Sequence, residues 1–342
     1  MITCIAIGYA MAASAQETSG GKTFTTQPTI NGTIRGKYEY QPQDAKGRFE
    51  VRTARISATG SVTEKVDYKA EIDLCDEGKI KMLDAFARIK PDKRLAFTIG
   101  QMRVPFTIDA HRSPHQQYFA NRSFIAKQVG NVRDVGAMAT YKFKYIIPVT
   151  LQAGIFNGSG LTNQKDFWTK NINYSAKVQF HVTDNTNLVM SIQKIHPDTC
   201  SVYMYDVGIN QRFGNLFVEG EYLMKTYTHG AFKDVHSCDV FACYDIPLHK
   251  CFFSKISPLV RYDYMSDHSD GMRYLNGMED KSGSLAINDY ERSRFTGGAT
   301  FSISKPFLSD IRINYEQYFY RHGATPKVSE KNKIVIELMT HF

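Results

Sequence analysis

Over residues 65–74 the chain alternates without a break. Val66, Tyr68, Ala70, Ile72 and Leu74 are apolar, while Lys65, Asp67, Lys69, Glu71 and Asp73 are all charged. Successive side chains of a strand point to opposite faces, so this segment has one greasy face and one ionic face. A soluble sandwich also turns polar residues outward, but it rarely needs every one of them charged. The pattern recurs. Over residues 171–182, Ile172, Tyr174, Ala176, Val178, Phe180 and Val182 oppose Asn173, Ser175, Lys177, Gln179 and His181. Over 292–304, Phe295, Gly297, Ala299, Phe301 and Ile303 oppose Arg294, Thr296, Thr300 and Ser302. At the end of the chain, Ile334, Ile336, Leu338 and Phe342 oppose Lys333, Glu337 and His341. Segments of about ten alternating residues are what a membrane β-barrel needs.

Further alternating segments cover 29–40, 48–62, 80–90, 94–104, 132–143, 149–158, 186–195, 201–213, 216–228, 235–247, 256–266 and 310–321. With the four above they make about sixteen strands, an even number that closes an antiparallel sheet. Connections alternate in length. Thr63-Glu64, Pro91-Asp92-Lys93, Thr183-Asp184-Asn185 and Gly214-Asn215 are tight turns, whereas 106–131, 159–170 and 267–291 are long. Short turns on one rim and long loops on the other predict an all-β transmembrane antiparallel barrel with periplasmic turns and extracellular loops, over residues 29–342. The terminal Phe342 on the apolar face resembles the signature by which barrel-assembly machinery recognises its clients.

Composition agrees. The chain has 20 Tyr and 22 Phe but one Trp, and aromatic residues suit strands and membrane girdles. No apolar run approaches the ~20 residues of a membrane helix. The formal charge of +8 is spread along the chain, without a basic block, which argues against a nucleic-acid arm. Residues 1–15 read as a secretory signal ending at Ala13-Ser14-Ala15, although no Lys or Arg precedes its apolar stretch. Residues 16–28 then form a flexible lead. Cys4 would leave with the signal. Cys75, Cys200, Cys238, Cys243 and Cys251 remain, with no C-x-x-C pair. Cys238, Cys243 and Cys251 are close enough in sequence for a disulfide, or are small buried or lipid-facing residues.

Residues 49–141 carry a series of motifs: Arg52-Thr53-Ala54-Arg55-Ile56, Val66-Asp67-Tyr68-Lys69, Asp84-Ala85-Phe86-Ala87-Arg88, Ile99-Gly100-Gln101-Met102-Arg103-Val104-Pro105-Phe106, Asn121-Arg122-Ser123 and Arg133-Asp134-Val135-Gly136. Their order resembles the phosphate-selective porin O and P family. The resemblance implies a sixteen-stranded barrel, usually trimeric, that passes anions without a cofactor. Candidate pore-lining, anion-binding residues are Arg52, Arg55, Arg88, Arg103, Arg112, Arg122, Lys127 and Arg133. An anion in a narrow pore loses hydration, and guanidinium groups can replace it, Arg bonding two oxygens at once. Several moderate sites serve passage better than one tight site. The loop after Phe106 is expected to enter the lumen as a constriction. Arg52 and Arg55 have odd spacing, so either one lies at a rim or the strand is bulged. The family's adjacent Arg pair is Val51-Arg52 here, and Asp84, Asp109 and Asp134 dilute the positive field. Weakly anion-preferring diffusion is therefore expected.

Two other classes compete. A barrel enzyme would need a catalytic set, but His181 and His341 are scattered and Gly158-Ser159-Gly160 lacks the full nucleophile-elbow pattern. His111 and His115 have a metal-compatible i, i+4 spacing, yet Pro114 stands between them. A structural or adhesive barrel would be plugged by the same loop that otherwise constricts it.

Overall fold

The computed structural model describes residues 26–75, 79–130, 132–161, 164–196, 200–249, 251–268, 274–275, 278–279, 289–321, 324 and 326–342. The signal at 1–15 and the lead as far as residue 25 lie outside the described residues.

Sixteen antiparallel strands form one closed sheet. They are β1 (Thr29–Gln41), β2 (Lys46–Thr63), β3 (Val66–Asp73), β4 (Lys81–Ile89), β5 (Leu95–Arg103), β6 (Arg133–Phe143), β7 (Val149–Phe156) and β8 (Asn173–Thr183). The second half is β9 (Thr186–Ile195), β10 (Val202–Phe213), β11 (Leu216–Tyr227), β12 (Val235–Tyr244), β13 (Lys255–Met265), β14 (Arg292–Ile303), β15 (Leu308–Tyr320) and β16 (Lys333–His341). Each pairs with its sequence neighbours, and Ile246–Pro247 continues β12 past Asp245. The expected boundaries differ from these by one or two residues. The seam is closed by β1 against β16, from Thr33 opposite His341 to Tyr40 opposite Ile334. Beyond it, Gly32 and Phe342 exchange both backbone hydrogen bonds, at 2.7 and 3.0 Å. Gly32 lies directly under the Phe342 ring, where a Cβ would collide.

Alternation sets the two faces. Along β16, Val335, Glu337 and Met339 are 0 % exposed, whereas Ile336 is 43 % and Leu338 56 %. The outward set meets lipid and the inward set fills the barrel. The β-bulge is present: Arg35 pairs with Thr53 and Gly36 with Val51, so Arg52 is the extra residue. The bulge lets Arg52 reach Glu50 at 3.5 Å while Arg55 remains on the inner face beside Asp73. Cys238, Cys243 and Cys251 form no disulfide, and Cys243 packs inward with Phe241 and Leu259.

Placing a charge on the lipid face tests this topology. Ile336→Lys, near the middle of β16, is expected to lower stability by about 2–4 kcal/mol. The measurement is equilibrium urea unfolding in lipid vesicles.

Candidate pore constriction

The segment from Val104 to Gly130 turns inward across the lumen. Its entry is set by Gly100, whose φ of +126° places it where a Cβ would strike the Ala85 carbonyl. After it, Gln101 and Met102 are both buried, and Gln101 Nε2 donates to the Met82 and Leu83 carbonyls at 2.5 and 2.7 Å. Pro114 then starts a 3-10 turn, Pro114–Gln116. Ser123 caps a short helix α1 (Phe124–Val129), its hydroxyl accepting from Ala126 N. Gly130, at φ 70°, ends that helix.

Apolar residues on the inner face receive this segment, against the rule that lumen faces are polar. Phe106, Ala110 and Ile125 pack with Val202, Met204 and Leu223. Phe119 packs with Phe241, Cys243 and Leu259, and Tyr118 stacks on Phe217 at 5.0 Å. Phe124 packs with Val235 and Met265. Polar contacts fix the register. Thr107 N donates to Ser191 Oγ at 3.1 Å, and the backbone N–H groups of Ile108 and Asp109 donate to the Glu221 carboxylate. Arg112 donates twice to Glu219, at 2.8 and 2.7 Å. Ala120 N donates to Asn314 Oδ1 at 2.9 Å, and Phe124 N to Asp263 Oδ1 at 3.2 Å. Arg261 and Arg294 bond the carbonyls of Asn121 and Arg122.

These anchors lie mainly on β9 through β16 and on β1. The space that remains lies along β2 to β7. It is a cavity of about 750 Å³ bordered by Arg88, Asp84, Arg103 and His111. A neighbouring cavity of about 280 Å³ is bordered by Arg55, Glu71, His115 and His341. The two share Thr59, Lys69, Arg103 and Ser113.

The candidate cations divide by location. Arg55 pairs with Asp73 at 2.9 Å, and buried Arg133 with Asp84 at 2.7 Å and Glu71 at 3.0 Å. Arg88 lies nearer the short-turn rim, donating to Thr98 Oγ1 at 3.2 Å. Arg112 is behind the loop on Glu219, away from the open side. Lys127 is exposed on α1 and pairs with Glu330 and Asp289 at the outer rim. Among the described residues Arg88, Arg103 and Arg122 have no carboxylate within salt-bridge distance, and of these Arg103 and Arg122 are held by backbone carbonyls instead. Arg103 donates to the His111 carbonyl, and Arg122 to the Asp109 and Arg112 carbonyls. Burial pulls Arg122 down to about 10; Asp109 opposes this, while Arg35, Arg55 and Arg112 add to it. Guanidinium groups are thus gathered here, and Arg52 lies beyond them on its bulge.

Among the described residues no cluster of three or more metal-ligating side chains gathers His111 and His115. His111 is held neutral by burial and by Lys177, Arg103 and Arg133. His115 stacks on His341 with ring centroids 3.9 Å apart, and burial first, then His341, lowers it to about 4.

Sequence reasoning missed the arginines that hold the loop and wall together. Arg35 and Arg312 share Glu337 at 2.5 and 2.8 Å, and Arg261 and Arg294 share Asp263 at 2.9 and 3.0 Å. Their signal was present, because Arg294 and Glu337 stand on the polar faces of alternating strands.

Residues 31–196 match the family model of phosphate-selective porin O and P. No curated protein matches the chain. Among solved structures, OmpT in its trimer form, an outer membrane protein of Vibrio cholerae, superposes with a TM-score of 0.61 at 12 % identity. That match covers 92 % of this chain and 98 % of that one. The outer membrane channel DcaP of Acinetobacter baumannii gives 0.59 at 11 %, covering 92 % and 97 %. An anion-selective porin from Comamonas acidovorans gives 0.58 at 10 %, covering 92 % and 99 %. At these identities the likeness is one of fold.

Two expectations follow for the loop. Removing one partner of the buried Arg112–Glu219 pair leaves the other charge unpaired, so Arg112→Met is expected to cost about 3–5 kcal/mol. The double variant Arg112→Met, Glu219→Met is expected to cost less, so a double-mutant cycle in urea unfolding reads the coupling. The second concerns acid. Burial raises the Asp109 carboxyl, but Arg122, Arg112, Arg261 and the Ser123 hydroxyl outweigh it and hold it below the ordinary value. A depressed folded value means that this attachment is complete above the unfolded value and is lost as pH falls through the folded one. Open-channel noise is expected to rise only in strong acid for the native chain, and at neutral pH for Asp109→Asn.

Proposed function

We propose that this chain, whose residues 31–196 match the model of the phosphate-selective porin O and P family, passes small hydrophilic solutes with a modest preference for anions. The family match over residues 31–196 and the closed sixteen-stranded barrel support an outer-membrane porin. The observation that carries the reading is the pair Arg103 and Arg122, pinned by backbone carbonyls with no carboxylate in salt-bridge distance among the described residues. Carbonyls orient a guanidinium without pairing off its charge, although Asp109 stands near Arg122 and Asp84 and Glu71 near Arg103. In a partly desolvated site that charge is weakly screened. The preference is modest because Arg55, Lys69 and Arg133 on the same wall are matched by Asp73, Asp84 and Glu71.

Phosphate and similar oxyanions suit the forked donors, and passage rather than capture fits sites of moderate strength. The working unit is a trimer, as in the trimer form of the Vibrio cholerae protein. We read the barrel as a channel and not as an enzyme, in keeping with the porin model that residues 31–196 match. Lipid surrounds the wall, and β16 is the strand presented to the assembly machinery.

A second reading is a barrel plugged by its own loop, favoured by the many contacts that fix the loop to β1 and β9–β16. Planar-bilayer recording separates the two. Stepwise conductance with a reversal potential displaced toward anions is expected, and Arg103→Ala with Arg122→Ala should reduce the anion-to-cation ratio severalfold. Arg112→Lys, behind the loop, should leave that ratio nearly unchanged. Correctly folded protein that gives no conductance steps would favour the plug.

A further inference from the structure

The 3-10 turn of the crossing segment rests on the last strand through a pair of histidines. His115, in Pro114–Gln116, stacks on His341 of β16 with ring centroids 3.9 Å apart and planes 13° from parallel. His341 lies opposite Thr33, and its Nδ1 is 2.9 Å from the Thr33 hydroxyl. The segment is fastened elsewhere on both sides of the turn. Arg112 bonds Glu219 at 2.7 Å before it, and Gln117 Oε1 accepts from the Arg35 guanidinium at 2.7 Å after it. Between those anchors the ring stack seats the turn on β16.

Face-to-face rings cannot share a metal ion, which would have to lie in the plane of both. Neutral imidazoles attract as stacked aromatic surfaces, whereas two imidazolium rings at this separation repel. The surroundings add to that repulsion. Arg55 of β2, Lys69 and Glu71 of β3, Arg103 of β5 and Arg312 of β15 face the pair, and β1 contributes the neutral Thr33. Glu71 is the one carboxylate among these groups, and Lys69 and Arg133 already hold it at 2.7 and 3.0 Å. Burial first, then His341 and Arg103, keep His115 neutral down to about 4. The sheet bars movement of the turn through β16. Its free direction is inward, where Ser113 borders both the cavity of about 280 Å³ and that of about 750 Å³.

We infer that the His115–His341 stack is an acid-released latch: protonation of both rings drives the Pro114–Gln116 turn off β16 and into the open space, which it narrows. As a control on flow the latch rests on the porin reading; as a movement of the turn it does not. A histidine with a depressed docked value leaves docking complete above its ordinary value of 6.5, and docking weakens as pH falls from there to about 4.

The test has two arms, both on the full chain, with folding of each variant confirmed by heat-modifiable migration on gels. In planar-bilayer recording from about pH 7 to about pH 4, discrete low-conductance dwells are expected to gain on the open level by up to about tenfold per pH unit. They are stepwise and so distinct from the open-channel noise tied to Asp109. His115→Phe keeps a stacked ring that takes no proton and should abolish the dwells, as should His341→Phe. His249→Gln, at an exposed site between β12 and β13, should leave them unchanged. The second arm is nuclear magnetic resonance of isotope-labelled protein in lipid nanodiscs. The amide signals of Ser113, His115 and Gln116 should shift in acid together with the His115 imidazole, and in His115→Phe the Ser113 and Gln116 signals should stay in place. The inference is overturned if His115→Phe closes in acid as the native chain does, or if those amides keep their neutral positions in the native chain at about pH 4. Amides that shift in a folded chain giving no conductance at any pH would sink the porin reading and leave the latch standing.

Discussion

In hydrocarbon no water is available to the backbone, so each N–H and C=O must find a partner within the sheet, and an open edge is not tolerated. The pairing of β1 with β16 meets that demand, and everything else in the molecule is arranged around it. Thr33 lies opposite His341, and the Gly32–Phe342 exchange carries the ladder to the end of the strand. Once the sheet is closed, alternation along each strand decides which side chains meet lipid and which fill the interior. A shift of one residue would reverse both faces at once, turning Glu337 and Arg312 to lipid and Ile336 and Ile313 inward.

The interior is held by two kinds of contact with different roles. Apolar packing of Phe106, Phe119 and Phe124 on inward residues of β10–β13 supplies non-directional attraction between loop and wall. The shared carboxylates Glu337 and Asp263, each between two arginines, add direction. Buried ion pairs are weak sources of net stability, because desolvation offsets much of the attraction. Here they fix where the loop lies.

The barrel was legible because it rests on period and on connection length, both of which survive in a single sequence. The turns at Asp184 and Gly214 and the alternation of β3 and β16 suffice to count strands. The bulge at Arg52 was readable as one of two outcomes of an odd spacing. Loop docking was not readable. Leu223, Phe241 and Leu259 look like lapses in an alternating pattern until the segment that covers them is seen, and nothing in a linear sequence says which loop that is. For the same reason Arg112 and Arg122, ten residues apart on one loop, looked equivalent. Their difference lies in Glu219, more than a hundred residues away, which neutralises the first and not the second.

The lopsided attachment of the loop has a wider consequence. Residues 31–196, the span matched by the family model, comprise the described barrel from β1 to β9, and this half contains both the crossing segment and the wall opposite its anchors. The other half acts largely as scaffold. The open space is therefore eccentric, lying along one arc of the cylinder, and the two arcs are free to diverge under separate demands. Drift in β10–β15 bears on how firmly the crossing segment is seated. A single exchange in β2–β5 bears on the lining of the open space beside it.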